Sequence, residues 1–597
     1  MKQQRAQRRR QSSRHQPADH VAAPSRENSA AHWSQARWPI FASAALTLLL
    51  SLPLFEPFSW FPLGFVVFAP WIVSLCVAQN SRLVYATAYL LGTAFFLIHL
   101  RWLYATTGAG YVAASLYLAV YFLLAAWPIR YLCRHKNVPA VVAFPIGWAA
   151  VEFLRSHGPL AFPWFMLGHS QIRVLSMIQV ADLAGVIGVT FVLATVNGWL
   201  ADLAMVRWRL WPGSRSHTLH GAWDGGIATI LLVIATFGYG RYRLATQELT
   251  DGPTVAVIQG DFLLEAVRGS QGVTDLEKMR TYLTLAEETA RQSPDLIVFP
   301  ETPWPMILNP EILDQEPGWT SYQRLFTERA QRFGSFLVVG GMSEFPQPEG
   351  SYPAAHRHNS AFVYSPDGGP PARYDKIHLV PFGEFVPFRY TRGLFWLYRF
   401  LNDSWFNPWG RGGVEYSLTP GSEFSTFTMQ ARSMEGRPFS FAVTICYEDV
   451  IPQVFRRFVR DRDGRKRVDF MLNISNDGWF GHGNQQPQHL VNCAFRAVEN
   501  RVAVARAVNT GVSGFLGPDG SWHDLVSAPD RRPQAGGIGH RIARLTIDPR
   551  PSVYSRYGDW LGALCGLATL AVLSDWGVRK LRRRSKTGPM ARQEPES

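Results

Sequence analysis

The chain is 597 residues long, 47% hydrophobic, with a formal net charge of +14 and five cysteines. That length exceeds one small domain, and an odd number of cysteines without CxxC spacing argues against a disulfide framework or a zinc cage. Much of the basic excess lies at the two ends, in KQQRAQRRR after Met1 and VRKLRRRSK from Val578, beside apolar segments. Such clusters mark the cytoplasmic flanks of membrane spans, so nucleic acid is not an expected partner.

Residues 1–36 are rich in Arg, Gln, Ser and His and poor in large apolar groups, which predicts a disordered basic cytoplasmic tail. Apolar stretches able to cross a bilayer then follow at about 38–55, 58–78, 83–100, 109–129, 138–154, 175–205 and 226–243, with another at 559–576. With the tail inside, the inner loops carry Arg82, then Arg130, Arg134 and Lys136, then Arg207, Arg209 and Arg215. The outer loops still hold Arg101, Arg155, Arg173, Arg241 and Arg243, so the charge rule holds only in sum. The expected organisation is a seven-span membrane domain over 37–245, an outer domain over 246–555, an eighth span over 556–578 and a basic cytoplasmic tail over 579–597.

The outer segment alternates β-rich runs with helical patterns. TVAVIQ (254–259), DLIVFP (295–300), FLVVGG (336–341), FAVTIC (441–446), VDFMLNIS (468–475) and VAVARAVN (502–509) read as strands, and 273–292 and 487–500 as helices. The pattern predicts an α/β domain with buried strands.

Three polar residues in this domain follow or interrupt apolar strands: Glu301 after DLIVFP, Lys376 in RYDKIHLVPFGE, and Cys446 at the end of FAVTIC. Catalytic groups in α/β folds gather where strands end. A probable helix from about Ile451 would set the Cys446 sulfur near helix N–H groups, which lowers a thiol pKa. Singly, each has an ordinary reading: a buried structural cysteine, a carboxylate capping the turn before Pro303, a solvated lysine. Cys493 lies inside the helix-like QQPQHLVNCAFRAVEN, a weaker place for a nucleophile, and His482 and His489 lack a third ligand at metal spacing. No metal or cofactor is expected.

Together, the runs VFPETPWP, YDKIHLVPFGEFVP, TICYED and NISNDGWFG resemble, in order, the signatures of the apolipoprotein N-acyltransferase branch of the nitrilase superfamily. NQQPQHLVNCAFRAVENRVAVARAVNTGVSGFLGPDG resembles the segment that follows them, and LRSHGPLAFPWFMLGHSQ the membrane-domain signature, so the likeness covers about residues 40–575. The chain departs after the first strand. Where the family has an Asn-Ile-Pro-Gln-like run and then a tryptophan, it has Gly260, Asp261, Phe262, Leu263 and Leu264, with no tryptophan between 260 and 300.

The resemblance implies a nitrilase-like αββα sandwich joined to a multi-pass α-helical membrane domain in the bacterial inner membrane, its catalytic domain in the periplasm and both termini cytoplasmic. It implies Cys446 as nucleophile, Glu301 as general base and Lys376 as the cation facing the oxyanion. Glu384 would orient Lys376 or share its charge, while Tyr447 and Glu448 would shape an acyl pocket. The implied partners are the lipid bilayer, a phospholipid acyl donor and a diacylglyceryl apolipoprotein acceptor, acylated through a Cys thioester with ping-pong kinetics. The aromatic run LFWLYRFLNDSWFNPW from Leu394 reads as an interfacial arm or a packed insertion. The alternatives are a membrane-tethered amidase and a non-catalytic membrane scaffold or transporter.

Overall fold

The computed structural model describes residues 36–210, 219–263, 273–309, 311, 317–348, 355–389, 391–403, 417–461, 463–526 and 536–586. The N-terminal basic tail, Leu264, the arm beyond Asp403 and the C-terminal residues after Lys586 lie outside them.

Each apolar stretch coincides with a helix, but their ends differ from the hydropathy. They are α1 (Trp38–Ser51), α2 (Ala69–Val77), α3 (Ser81–His99), α4 (Gly108–His135), α5 (Ala140–Arg155), α6 (Ala181–Arg207) and α7 (Leu219–Ala245). Five helices among the described residues, α3, α4, α6, most of α7 and one near the C-terminus, are long and apolar enough to cross a membrane. The stretch at 58–78 is helical only at its end, after a tight 3₁₀ turn over Phe61–Phe65. The stretch at 175–205 is not one rod, because backbone at Ala184 and Gly185 leaves the helical region, Gly185 at φ +68°. A Cβ there would come 2.6 Å from the Tyr554 ring, so glycine meets both a backbone and a space requirement.

Inside the bundle, polar groups fasten helix ends. Asn197 accepts from Phe68 N–H at 2.7 Å and donates to Gly64 O at 2.8 Å, while Asp202 caps Ala140 and Val141 N–H at 3.0 and 2.9 Å. Arg130 and Arg134 donate to carbonyls at the end of α2, where a helix terminus favours cations. Outward-facing Leu90, Ile98, Ile227, Leu231, Ile234 and Leu116 are exposed, an apolar exterior suited to lipid. Among the arginines that weaken the loop-charge bias, Arg155 donates to Phe162 and Trp164 carbonyls, Arg173 pairs with Glu56 at 2.7 Å, and Arg243 pairs with Asp182 at 2.9 Å. Their charge is spent on internal contacts, so those loops need not follow the bias.

The second domain is an αββα sandwich. Its first sheet, in the order β12-β1-β2-β3-β4-β5, comprises β1 (Thr250–Gln259), β2 (Leu296–Val298), β3 (Phe336–Pro346), β4 (Ala355–Tyr364), β5 (Ala372–Asp375) and β12 (Gly539–Ile547). The second, in the order β11-β10-β9-β8-β7-β6, comprises β6 (Phe427–Ala431), β7 (Arg437–Ile445), β8 (Phe470–Ser475), β9 (Ala503–Val508), β10 (Gly514–Leu516) and β11 (Trp522–His523). The central strands, β1-β2-β3 and β7-β8-β9, pair in parallel, and the flanking strands pair antiparallel. Strand alternation divides the core: Val255, Val257, Leu296 and Val298 pack toward the second sheet with Phe441, Val443 and Leu472. Ala256, Ile258, Ile297 and Phe299 face the other way, against Tyr282, Leu285 and Phe326 of the outer helices α8 (Asp275–Ala290) and α9 (Pro317–Phe333). A Thr274–Glu277 capping box starts α8.

Helix α10 covers Phe395–Asp403, and α11 covers Pro452–Val459. On the second sheet, α12 (Gln485–Asn500) has no exposed residue, although its sequence is mixed. The membrane domain covers its outer side: Glu499 accepts from Val186 N–H at 2.9 Å, and Arg501, just past the helix, binds Asp182 at 2.6 and 2.9 Å. The chain returns through α13 (Val553–Tyr557) to α14 (Trp560–Lys586). Helix α14 continues ten residues past the apolar stretch, so the start of the segment read as a C-terminal tail is helical.

Candidate active site

Glu301 sits in the turn after β2, 6% exposed. Gly340 of β3 packs beneath it, where a Cβ would lie 2.5 Å from Pro300 O and 2.8 Å from Glu301 Cα. Its Oε1 accepts from Asn359 Nδ2 at 2.6 Å and Lys376 Nζ at 3.4 Å, and its Oε2 from Asn476 N–H at 2.8 Å. Burial raises the Glu301 pKa above the usual carboxylate range, with Lys376 opposing and Glu384 adding to the rise.

Lys376 follows β5 and is 1% exposed. Its Nζ donates to Glu384 Oε1 at 2.8 Å, and Glu384 also accepts from Asn359 Nδ2 at 2.9 Å and Val380 N–H at 2.8 Å. Burial alone would lower the lysine pKa, but Glu384 and Glu301 outweigh it and keep the ammonium charged. Glu384 thus contacts Lys376 directly.

Cys446 follows β7 at the start of a 3₁₀ turn over Cys446–Asp449, with φ +52°. A non-glycine residue in the left-handed region is strained, and such strain clusters at functional turns. Of the five cysteines it alone is not fully buried. The expectation of a lowered thiol pKa is overturned: burial pushes the Cys446 thiol well up, Glu301 adds to the rise, and Lys376 opposes it. Desolvation is the largest of these influences, so the resting sulfur is a neutral thiol. Glu301 and Lys376 are both within electrostatic reach of the sulfur.

Tyr447 donates to Ala161 O at 2.9 Å, and its ring stacks with His378 at 6.0 Å and Trp164 at 6.5 Å. The residue after the cysteine is therefore seated on the membrane-domain loop. On the membrane side lies a small pocket lined by Phe55, Phe95, Phe122, Trp148 and Phe165, with Glu152 and Arg155 at its wall. Glu448 is the next residue of the turn. Fully buried, it accepts from Tyr374 OH at 2.7 Å, Ile377 N–H at 2.8 Å and His378 N–H at 3.0 Å on one oxygen, and from Ile445 N–H at 2.9 Å on the other. It locks the Lys376 loop to the cysteine turn.

Two residues of the centre escaped the sequence reading. Asn359 bridges Glu301 and Glu384 from β4, a strand without a clear apolar run at its start. Asn476 was inside the quoted NISNDGWFG run but had no role until its N–H met Glu301. Cys493 is fully buried within α12, and His482 lies 2.8 Å from Asp261. In α10, Trp396 and Phe400 are 66% and 60% exposed, the described part of the aromatic arm.

Residues 43–199 match the family model described as apolipoprotein N-acyltransferase N-terminal domain, and residues 254–529 match that of carbon-nitrogen hydrolase. An apolipoprotein N-acyltransferase from Geobacter metallireducens is 28% identical, covering 86% of this chain and 91% of its own. One from Bradyrhizobium diazoefficiens is 27% identical, covering 91% and 94%. Among solved structures, an amidase from Nesterenkonia sp. aligns over 50% of this chain and 94% of its own at 16% identity and a TM-score of 0.33. Both family models match in order along one chain and these relatives align across most of its length, so the chain is similar in its first part and as a whole to apolipoprotein N-acyltransferases, and in its second part to carbon-nitrogen hydrolases.

Proposed function

We propose that the protein is an apolipoprotein N-acyltransferase that works through a Cys446 thioester. The observation that carries the mechanism is the pairing of a strained, partly accessible cysteine with the buried Glu301–Lys376 pair, on the side of the sandwich seated against membrane helices. In the first half-reaction Glu301 takes the thiol proton as Cys446 Sγ attacks an ester carbonyl of a phospholipid. Lys376 faces the oxyanion, and collapse expels the lysophospholipid alkoxide, which recovers the proton from Glu301. In the second, the α-amine of a diacylglyceryl cysteine attacks the thioester and gives a proton to Glu301. The Cys446 thiolate leaves and is reprotonated, so the amide forms as the thioester breaks.

The substrates are lipids and lipid-anchored proteins, in keeping with a catalytic centre whose Tyr447 is seated on the membrane-domain loop. Residues 246–555 form the catalytic domain and face the periplasm, with membrane segments over 37–245 and 556–578 and both termini cytoplasmic. This orientation rests on the loop-charge bias.

Incubating the purified full-length protein with labelled phospholipid should give an acyl adduct by intact mass, removed by hydroxylamine and absent in Cys446→Ala. An adduct that persists in Cys446→Ala overturns the nucleophile. Hydrolysis of small amides with no adduct from phospholipid indicates a tethered amidase instead.

A further inference from the structure

Behind the cysteine turn lies a buried cluster that the steps above do not use. Asp449 closes the 3₁₀ turn that Cys446 opens. Asp477 follows β8, next to Asn476, whose N–H holds Glu301. His489 of α12 spans the two, Nε2 2.8 Å from Asp449 Oδ1 and Nδ1 2.9 Å from Asp477 Oδ1. Arg506 of β9 spans them on the other side, at 2.7 Å from Asp449 Oδ2 and 3.3 Å from Asp477 Oδ2. It also contacts Asn473 Oδ1, while Asn473 Nδ2 reaches the Cys446 carbonyl at 3.3 Å. All four charged residues are fully buried.

We propose that His489 is a positioning residue for the Glu301–Lys376–Cys446 centre. As an imidazolium it completes, with Arg506, a charge-neutral brace that fixes the cysteine turn relative to the loop holding the base. Both ring nitrogens face carboxylate oxygens, which requires both to donate and hence a charged ring. Burial opposes that charge, but Asp449 and Asp477 outweigh it and push the His489 pKa up to about 9. With the proton present, two carboxylates meet two cations. Without it, one negative charge is left uncompensated near the sulfur, on which Asp477 already acts. The titratable and charged groups facing His489 among the described residues are Asp449, Asp477, Arg506 and, on its own helix, Cys493, which interacts with Asp449 and Arg506. From the membrane domain the neutral ring of Trp164 packs at 5.5 Å.

The acylation half of this inference rests on the proposed function, so the test pairs a measurement that needs no substrate with one that does. In the full-length protein, iodoacetamide alkylation of Cys446 is followed by peptide mass across pH, and acyl-adduct formation is followed in a single turnover. His489→Gln should shift the alkylation profile upward by about one pH unit, the scale of one added nearby charge, and slow acylation about tenfold with donor KM unchanged. It should also abolish the wild-type inflection near pH 9. Adding Asp477→Asn to His489→Gln restores neutrality and should recover part of both losses, which a purely steric brace would not do.

An unshifted alkylation profile in His489→Gln, or no recovery in the double variant, overturns the inference. If neither variant folds, the wild-type alkylation curve decides: an inflection near pH 9 supports the brace, and a single smooth titration overturns it. A shifted alkylation profile without any acyl adduct in the wild type sinks the proposed function while the brace stands.

Discussion

Replacing Glu448 with glutamine changes one atom of a fully buried side chain and creates no cavity, so it isolates hydrogen bonding from packing. The carboxylate accepts from three donors on Oε1 and from Ile445 N–H on Oε2. An amide offers one oxygen and one NH₂ group. Its best fit presents oxygen to the three donors and sets the NH₂ against Ile445 N–H, leaving that donor buried without an acceptor at a cost of about 1–3 kcal/mol. The other three bonds fall from charge-assisted to neutral strength, about 1 kcal/mol apiece. Part of this returns, because burial raises the Glu448 pKa and a neutral amide escapes the cost of the buried charge. The net loss is about 2–4 kcal/mol, which at the size of this domain lowers the apparent melting temperature by roughly 3–6 °C. Ile445 precedes Cys446, so the loosened turn should also slow acyl-adduct formation at temperatures where the protein stays folded. The assays are thermal unfolding of the detergent-solubilised protein and the adduct rate by intact mass. A variant that melts within 1 °C of wild type, or one that melts low but acylates at the full rate, refutes the assignment of Glu448 as the lock between lysine loop and cysteine turn.

Other expectations follow from the same geometry. Because burial raises the Glu301 pKa, its base form is lost at a higher pH than an ordinary carboxylate's, so kcat/KM should fall on an acid limb displaced upward. The folded state also holds this proton more tightly than the unfolded one, so the Glu301 contribution to stability increases as pH falls from the raised pKa toward the ordinary one. Glu301→Gln should remove both effects, read from pH–rate and pH–melting profiles. Gly185→Ala combines a left-handed backbone with a 2.6 Å approach to the Tyr554 ring and should cost at least about 1–3 kcal/mol, whereas adding Tyr554→Leu should relieve only the steric part. Arg501→Met strips Asp182 of one buried partner and should destabilise the protein by about 2–4 kcal/mol, below a complete break because Arg243 remains at 2.9 Å. Chemical unfolding of the two variants against wild type checks both magnitudes.

Much of the architecture was legible because periodicity and hydropathy are local properties. The strands carrying Val255, Ile297, Val338, Val443, Leu472 and Val504 are apolar on both faces, as a strand between a second sheet and a helix layer must be, and they stood out in the sequence. The flanking β4, β5, β6 and β12 alternate weakly or are short, and their identity comes from the partner each pairs with. Hydropathy located the membrane helices but not their ends, which are set by caps such as Asn197 and Asp202 from distant helices. Likewise, no local feature reveals that α12 is wholly buried, because the covering surface belongs to residues three hundred positions earlier.

By itself the chain of residues singled out the candidate groups: a carboxylate, an ammonium and a thiol, each following or interrupting an apolar strand, in a domain bracketed by membrane-length apolar runs. Only the tertiary structure decided how those groups behave. Burial drives the thiol pKa up where the local turn alone suggested a fall. Glu448 becomes a lock between loops, and Asn359, Asn476 and the His489 brace join the centre from four separate elements. The physical reason is that a residue type is a local property, whereas desolvation and hydrogen-bond partnership depend on what the rest of the chain folds against it.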